Sequence, residues 1–375
     1  MQGTSPPVVQ NNQFAILGDD AGDSSELECL MQADPQSTLG AASLIQVRGE
    51  VLGNYYEGGQ DSKNSCHTDN QTSVTEFILL SLTDILEFRI TLFGVFLAFF
   101  LLNLTGNISI LVITILEKAL HTPMYYFLGN IAFFDIFVSY VTVPKMLTDF
   151  FFLQKTISFN SCISQLHFFH FLAGSEVVLL TVMSYDRLIA IGNPLRYSSI
   201  ISPTFCVILI FGSWVFGFLH SLLHTVLTAM LPYCGPNLVE HFFCDIKPLL
   251  KLACADTTLN QKILNILTGY LTCMAFLLTV ISYVLIGRII LKMKTVEGRK
   301  RAISTCSGHL TVVILLYGTA LFTYIRPATQ DILDQDRGAA VLFTVVTPAL
   351  NPIIYTLRNK EMKKAIRRVI KKLTL

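Results

Sequence analysis

Charged residues are scarce in this chain of 375 residues. Only 14% of the residues are Asp, Glu, Lys or Arg, against about 25% in ordinary soluble domains. The chain holds 27 Phe but a single Trp, and 52% of its residues are hydrophobic. Its mean hydropathy is +0.55. This composition excludes an ordinary soluble domain and indicates a protein that crosses the membrane several times.

Signatures of common enzymes are also missing. No glycine-rich phosphate loop, HExxH pair or nucleophile elbow stands out. The basic runs lie beside apolar segments, so their expected partner is a lipid bilayer and not a nucleic acid. We therefore predict a membrane protein that is not an enzyme and has no cofactor.

Seven apolar runs are long enough to cross a membrane, which takes roughly 20 residues each. Their approximate limits are 90–116, 124–148, 162–188, 205–229, 262–290, 302–325 and 338–356. The predicted fold is an all-α membrane protein, a seven-transmembrane helix bundle with a short amphipathic C-terminal helix. The first 30 residues lack the basic start and apolar run of a signal peptide, so we expect the first span to act as its own insertion signal.

Acidic and basic residues are unevenly distributed along the chain. The first 75 residues carry 10 acidic and 2 basic residues, whereas the remainder carries 16 acidic and 25 basic residues. We assign 1–75 to an acidic N-terminal tail, 76–357 to the seven-span domain and 358–375 to a cytoplasmic tail. Residues 1–65 are rich in Ser, Gly and Asn without a hydrophobic pattern, which predicts disorder.

Basic residues in the short loops predict an extracellular N-terminus in the plasma membrane, because cytoplasmic loops carry the excess of Lys and Arg. The loops 117–123, 189–204 and 291–301 and the C-terminal tail are then cytoplasmic. A sequon that begins at Asn70 would be extracellular and open to glycosylation.

The C-terminal tail has the pattern of an amphipathic helix. Eight basic residues and one acidic residue lie between Arg358 and Lys372. Apolar residues recur among them at helical spacing, namely Met362, Ala365, Ile366, Val369, Ile370 and Leu373. We predict a helix on the inner membrane surface; a solvated charged tail is the alternative.

Four of the nine cysteines lie on the predicted outer side of the membrane. They are Cys162, Cys234, Cys244 and Cys254. Four cysteines allow three pairings, and spacing does not choose among them. A second set, Cys206, Cys273 and Cys306, falls within spans or near their inner ends, and we predict buried free thiols there.

Several polar residues fall at membrane depth, where they are often functional. Asn107, Asp135 and Asn351 lie in the first, second and seventh spans and could form one network. Local hydrogen bonds between helices are the alternative. Glu176 in the third span is a second buried acid, either paired with a polar neighbour or protonated.

The third span ends in an adjacent acid–base pair, Asp186 and Arg187. At rest the two side chains can hold each other. On activation, Arg187 can be released to an intracellular partner. Charges at membrane depth are normally functional, so we interpret this pair as a functional feature at the inner end of the span.

Three groups of histidines are candidates for metal or ligand contacts. His220 and His224 have the i, i+4 spacing of metal ligands, but no third ligand is in view. His241 and Cys244 form a short pattern that resembles a metal-binding site. If Cys244 forms a disulfide, its thiolate cannot bind a metal. We therefore predict no metal site. His170, in the outer half of the third span, is expected to make either a structural hydrogen bond or a ligand contact.

Eight short motifs occur in a particular order between residues 70 and 375. They are Gly106-Asn107, Leu120-His121-Thr122-Pro123-Met124-Tyr125, Val143-Pro144-Lys145-Met146-Leu147, Ser184-Tyr185-Asp186-Arg187, Asn193-Pro194-Leu195-Arg196-Tyr197, Ser282-Tyr283, Ser304-Thr305-Cys306-Ser307-Gly308-His309-Leu310 and Pro348-Ala349-Leu350-Asn351-Pro352-Ile353-Ile354-Tyr355. In type, order and spacing they resemble the olfactory receptors, a family of rhodopsin-like G-protein-coupled receptors. The likeness is to the larger, tetrapod-type class.

The resemblance implies two disulfides and a ligand pocket. The disulfides would pair Cys162 with Cys244 and Cys234 with Cys254. The pocket would bind a small odorant between the outer halves of spans three, five, six and seven. Its matching positions here are Phe169, His170, Ala173, Gly174, Thr268, Leu271, Ala320, Leu321 and Tyr324.

The resemblance also implies a mechanism. Ligand binding would shift an equilibrium between inactive and active states, and a stimulatory heterotrimeric G protein would then raise cyclic AMP. The residues implied in this step are Asp186, Arg187, Tyr283, Tyr317, Asn351, Pro352 and Tyr355. Tyr317 would lie beneath the pocket as a packing switch.

The chain departs from the family pattern in two places. Leu188 and Gly192 stand where the family usually has Tyr and Cys, at the end that faces the G protein, which bears on coupling. The N-terminal segment is also longer than usual, and is either a gene-model artefact or a real extracellular tail.

The same sequence pattern has two alternative functional interpretations. A non-olfactory chemoreceptor for an endogenous metabolite would share the fold. A transporter should show internal repeats and broken helices, and we find neither.

Overall fold

A computed structural model describes residues 74–83, 85–152, 155–324 and 332–373. Seven helices in this part of the chain are long and apolar enough to cross a membrane, which confirms the predicted bundle. They are α1 (Leu86–Leu116), α2 (Pro123–Asp149), α3 (Phe159–Gly192), α4 (Pro203–Ala229), α5 (Thr258–Lys292), α6 (Val296–Tyr324) and α7 (332–358). The predicted disordered tail and Asn70 lie outside the described residues.

Local signals explain where several helices begin. Pro123 and Pro203 occupy the first helical positions of α2 and α4, where a missing N–H is harmless. The Ser158 and Ser202 side chains cap α3 and α4 by accepting backbone N–H groups. α6 begins at Val296, earlier than the predicted 302, because its first turns are charged and hydropathy marks only the apolar part of a helix.

Two spans contain a wider turn that the sequence did not predict. Residues Leu264–Thr268 of α5 and Leu342–Val346 of α7 are π-helical. Such segments change which side chains face a neighbouring helix and often lie at functional sites.

A small sheet lies at one end of the bundle, here called the sheet end. Strand β1 (Glu76–Leu79) pairs antiparallel with β2 (Thr156–Ser158) and parallel with β3 (Leu238–Val239). A hydrophobic cluster lies beneath it and includes Phe77, Leu79, Leu166, Tyr233, Val239 and Leu249. Strands this short carry little periodicity, so the sheet was not predicted. The opposite end is called the Arg187 end.

The last helix, α8 (Lys360–Leu373), follows α7 at the Arg187 end. Met362 and Ala365 are fully buried, whereas the lysines between them are exposed, so the amphipathic prediction is confirmed. Arg368 Nη1 lies 3.3 Å from Glu117 Oε2 and holds the helix against the end of α1.

One cysteine prediction was wrong. Cys206 and Cys306 are buried free thiols as expected, but Cys273 is exposed. Its neighbour on α5, Met274, is also exposed, because this part of α5 faces away from the bundle.

Candidate functional site

A buried ion pair lies at the Arg187 end of α3. Arg187 Nε donates to Asp186 Oδ2 at 2.9 Å, and Arg187 Nη2 contacts the same oxygen. The Tyr197 hydroxyl donates to Asp186 Oδ1 at 2.6 Å. Burial and the Asp186 carboxylate raise the pKa of Tyr197, so its hydroxyl keeps the proton that it donates. Asp186 and Arg187 are 1% and 5% exposed, and the pair is shielded from solvent.

Two tyrosines that the resemblance implies in activation bond to neighbouring helices. Tyr283 Oη lies 2.6 Å from His309 Nδ1, which joins α5 to α6. Tyr317 Oη lies 3.0 Å from Thr181 Oγ1, which joins α6 to α3. The Tyr355 hydroxyl is buried and has no hydrogen-bond partner among the residues that the structure describes. The Tyr283 and Tyr317 hydroxyls therefore have hydrogen-bond partners, whereas the Tyr355 hydroxyl has none among the described residues.

The polar residues of three spans form connected hydrogen bonds. Asn351 Nδ2 donates to both carboxylate oxygens of Asp135, at 3.0 and 2.9 Å. Asn107 Nδ2 donates to Asn103 O and to Pro348 O, each at 3.1 Å. Asn103 Nδ2 in turn donates to Asp135 O at 3.0 Å. The predicted residues are thus linked across α1, α2 and α7, with Asn103 as the intermediate.

The second predicted buried acid lies beside this network. Glu176 on α3 is 3% exposed and interacts electrostatically with Asp135. No hydrogen bond to its carboxylate occurs within the described ranges, so the polar partner expected for it is not found there.

Two glycines allow helices to touch. A Cβ on Gly217 of α4 would lie 2.1 Å from Ser175 Oγ and 2.7 Å from Phe171 O. A Cβ on Gly106 of α1 would lie 2.7 Å from Pro352 Cβ. Small residues permit such close approach between membrane helices. Gly174, a predicted ligand residue, faces Gly217 with a Cβ-to-Cα distance of 3.6 Å, which favours a packing role for it.

An aromatic cluster contains the predicted ligand residue Phe169. Its ring packs edge-on against Phe243 and Phe343, with centroids 4.8 and 5.9 Å apart. Phe243 belongs to the loop between α4 and α5, and Phe343 belongs to the π-helical turn of α7. Phe169 therefore lies where α3, α7 and this loop meet.

His170 makes the structural hydrogen bond that was one of its two expected roles. Its Nε2 lies 2.9 Å from Asp245 Oδ1. Burial alone would raise the pKa of Asp245, but the bond from His170 and the proximity of His241 outweigh it and lower that pKa well below its usual range. Asp245 follows Cys244, which is bonded to Cys162, so the acid is held close to α3.

The Thr268 hydroxyl of α5 makes hydrogen-bond contacts with α4. Its hydroxyl lies 3.0 Å from His220 Nε2 and 3.1 Å from His224 Nε2. The two histidines share a face of α4, as their spacing predicts, and they meet a hydroxyl there. Across the described ranges, no three His, Cys, Asp or Glu side chains are grouped to hold a metal.

The other predicted ligand residues lie on α3, α5 and α6. Ala173 and Leu271 are half-buried on α3 and α5. Ala320, Leu321 and Tyr324 lie in the last turns of α6, outside the residues whose side chains are described. The structure does not show the predicted pocket positions joined in one site: Phe169 and His170 contact the α4–α5 loop, whereas Thr268 contacts two histidines of α4.

Disulfides join the same cysteines that the resemblance implies. Cys162 is bonded to Cys244, and Cys234 is bonded to Cys254. Gln165, one turn after Cys162, accepts the Cys244 N–H at 2.9 Å and donates to Val141 O at 2.8 Å. These contacts fix the α4–α5 loop across the first turns of α3.

His241 is buried in the same loop and packs against Phe242 and Phe243. Burial lowers its pKa to about 4, with Arg337 adding to the effect and Asp245 opposing it. Because the side chain is enclosed by aromatic rings, it serves the loop structure and is not positioned as a ligand.

Sequence reasoning missed several residues that complete these contacts. They are Asn103, Tyr197, Phe243, Asp245 and His309. Asn103 was not among the polar residues predicted to form the network. Tyr197 and His309 belong to two of the motifs that carry the family resemblance. Their membership in those motifs was an available signal for a role near Arg187. Phe243 and Asp245 lie in a loop without periodicity, where no local signal exists.

Comparison with known proteins identifies a family. A family model described as olfactory receptor matches residues 96–373. The human olfactory receptors 12D1 and 12D2 are each 51% identical to this chain, over 304 and 305 residues; both alignments cover 81% of this chain, and they cover 95% and 99% of the two relatives. The mouse olfactory receptor 4E2 is 47% identical over 298 residues, covering 80% of this chain and 96% of that relative.

Proposed function

Because the chain belongs to the olfactory receptor family, we propose that it binds a small, mostly apolar volatile molecule and activates a stimulatory heterotrimeric G protein, which raises cyclic AMP. Members of this family are receptors and not enzymes. Binding shifts a two-state equilibrium in this proposal, and the ligand must therefore prefer the active state.

The buried Asp186–Arg187 pair with its Tyr197 hydrogen bond is the observation that supports coupling most strongly. An Arg enclosed by an acid and a phenol cannot contact another protein until these bonds break. Breaking them at the Arg187 end would release a cation next to Tyr283 and His309. That cation would meet the G protein, which then exchanges its nucleotide faster.

We place the ligand pocket near the sheet end, at Phe169 and His170 of α3 and Thr268 of α5. It combines an apolar wall with a few polar groups, the composition of sites for small molecules. The π-helical turns of α5 and α7 end at Thr268 and contain Phe343. A ligand here would press on α5 and α7, the helices that lead to Tyr283 and Asn351.

The sheet end is the extracellular end in this proposal. Disulfides persist in oxidising compartments, and both lie at the sheet end. The basic helix α8 lies at the other end, in agreement with the excess of Lys and Arg in cytoplasmic segments.

The test measures cyclic AMP in cells that express the receptor with an olfactory-type stimulatory G protein while an odorant panel is screened. We expect a dose-dependent signal that Arg187→Ala abolishes at equal surface staining. Lys262→Ala, an exposed basic residue at the sheet end, is the matched control and keeps the signal. A signal that survives Arg187→Ala would contradict the proposed coupling route.

A further inference from the structure

The helix α8 turns its apolar stripe towards the bundle. Met362 and Ala365 are fully buried, and Ile366 and Val369 are half-buried against the core of the seven-span domain. A helix that binds a membrane by insertion places such a stripe among the acyl chains. Here the stripe is packed against the protein instead, so its insertion is not what attaches α8 to the bilayer.

The opposite side of α8 is basic and exposed. It carries five cations, here called the basic face, namely Lys363, Lys364, Arg367, Arg368 and Lys371. With the ideal helical repeat they share an arc of about 140°, directly opposite the buried stripe. Glu361 is the single acidic residue of the helix. The surface that α8 presents to its surroundings is therefore strongly positive.

Ion pairs within the protein neutralise only part of the basic face. Lys364 Nζ lies 3.0 Å from Glu361 Oε1, and Arg368 Nη1 lies 3.3 Å from Glu117 Oε2. Lys363 and Arg367 make no ion pair in the part of the chain that the structure describes. These two cations are thus available to an anion from outside the protein.

The basic face lies at the level of the lipid headgroups. The apolar span of α7 ends at Thr356, and α8 begins four residues later, at Lys360. α8 lies beside the end of α1 and the short turn Lys118–Leu120, so it runs along the end of the bundle. Lys118 is exposed in that turn and adds a further cation. Headgroups around the bundle are then within reach of the electrostatic attraction, which extends about 8 Å in physiological salt.

Anionic phospholipids match the basic face in charge. Clusters of Lys and Arg that directly follow a transmembrane helix attract anionic headgroups, and phosphatidylinositol phosphates carry several phosphates in one headgroup. Lys363, Arg367 and Lys371 follow one another at one helical turn, about 6 Å, so neighbouring phosphates can each meet a cation. An acidic protein surface offers the same charge but must diffuse to the face, whereas headgroups lie beside it permanently. The position of α8 therefore favours the lipid.

We propose that the basic face of α8 binds the headgroups of anionic phospholipids, with phosphatidylinositol phosphates as the preferred class. Attachment is electrostatic, because the apolar stripe is occupied by the bundle. The bound lipid holds α8 against α1 and α7 and stabilises the Arg187 end of the receptor. This binding requires neither an odorant nor a G protein.

The test uses the purified full-length receptor in detergent micelles, with fluorescent short-chain phosphatidylinositol bisphosphate as the probe and anisotropy as the readout. Four unlabelled competitors are compared: the same lipid, phosphatidylserine, phosphatidylcholine and free inositol trisphosphate. We expect the bisphosphate lipid to compete best and phosphatidylserine next. Phosphatidylcholine lacks net charge, and the free headgroup lacks the local concentration that the micelle gives a lipid, so both should compete about ten-fold worse or more.

Salt and variants locate the site. Raising the salt from about 0.1 M to about 0.5 M should weaken binding, since the Debye length shortens. Lys363→Gln/Arg367→Gln removes two exposed cations and leaves both ion pairs and the buried stripe intact. Binding should weaken about ten-fold or more, because each basic residue near an anionic surface contributes roughly five-fold.

Lys294→Gln/Lys300→Gln is the matched control. It removes two exposed cations from the connection between α5 and α6, at the same end of the bundle, and should leave lipid binding unchanged. Without lipid, the thermal midpoints of both variants should equal that of the unchanged receptor, because exposed substitutions have small effects. With the bisphosphate lipid, the midpoint should rise in the unchanged receptor and the control, but less in Lys363→Gln/Arg367→Gln.

Four results would overturn the proposal. Equal competition by phosphatidylcholine and the bisphosphate lipid would show only partitioning into the micelle. Equal competition by free inositol trisphosphate would make the basic face a general anion site. Equal weakening by the two double variants would assign the effect to the overall charge of the Arg187 end. Unchanged lipid binding in Lys363→Gln/Arg367→Gln, together with loss of G-protein activation, would assign the face to the protein partner. Lipid binding is measured without odorant or G protein, so its failure is distinguishable from a failure of the proposed receptor function.

Discussion

The Tyr197 hydroxyl donates a 2.6 Å hydrogen bond to the carboxylate of Asp186, the same carboxylate that holds Arg187. Tyr197, in the short helix Tyr197–Ile200 between α3 and α4, thus braces the ion pair at the end of α3. Removing this bond leaves the acid with one partner fewer and weakens the arrangement that keeps Arg187 enclosed.

We expect Tyr197→Phe to raise basal cyclic AMP about two-fold or more, because a hydrogen bond to a charged group contributes about 1.5–3 kcal/mol to the resting state. The measurement is ligand-free cyclic AMP normalised to surface expression. Tyr185→Phe, a change at an exposed phenol next to Asp186, should leave the basal level unchanged. Equal basal activity in both variants would show that Tyr197 does not brace the pair.

Helix packing gives a second prediction. Gly217→Ala would force a Cβ to within 2.1 Å of Ser175 Oγ and 2.7 Å of a backbone oxygen, so α3 and α4 must move apart. We expect a loss of about 1–3 kcal/mol of stability, the usual effect of overpacking. The thermal midpoint of purified receptor reports it. Gly212→Ala on the same helix meets no atom within 4 Å and should be neutral; similar midpoints for the two variants would refute the close contact.

The Asn351–Asp135 contact gives a third prediction. Asn351→Ala removes both hydrogen bonds to a carboxylate that is 1% exposed. We expect a loss of about 1–3 kcal/mol, because the change leaves a buried polar group without these hydrogen bonds. A double-mutant cycle with Asp135→Asn, read by thermal unfolding, should give a coupling of about 1 kcal/mol or more. Additive effects would show that the two side chains do not interact in the folded receptor.

Acid should destabilise the α4–α5 loop through His241. Its folded pKa is about 4, below the unfolded value of about 6.5. Between these values the unfolded chain binds the proton and the folded chain does not, so stability falls as the pH falls through this window. The loss is about 1 kcal/mol at pH 5.5 and is complete near pH 4. The lowered pKa of Asp245 acts only below about 3.9 and does not contribute in this range.

The thermal midpoint at pH 7.4 and pH 5.5 measures this effect. His241→Gln should show a smaller drop between the two pH values than the unchanged receptor. His121→Gln, at an exposed histidine, should retain the full drop. An identical pH dependence in all three proteins would exclude His241 as the source.

Within the fold, the local patterns predicted the spans well and the loops poorly. The start of α4 at Pro203 follows from a capping serine and a proline that are adjacent in sequence. The pairing of β1 with β3 joins segments about 160 residues apart, and neither strand is long enough to show alternation. The π-helical turn of α5 ends at Thr268, whose side chain contacts two histidines of α4. No local sequence pattern marks such a contact between helices.

The amino-acid pattern alone predicts the seven membrane spans, the amphipathic C-terminal helix and the polar residues that lie at membrane depth. Hydrophobic length, charge and helical spacing are local properties, so they can be read along the chain. The packed bundle adds what no local pattern shows, namely that Asn103 links Asn107 to Asp135 and that Thr268 meets two histidines. Those outcomes depend on the rotation and separation of neighbouring helices, which are set by packing across the whole bundle.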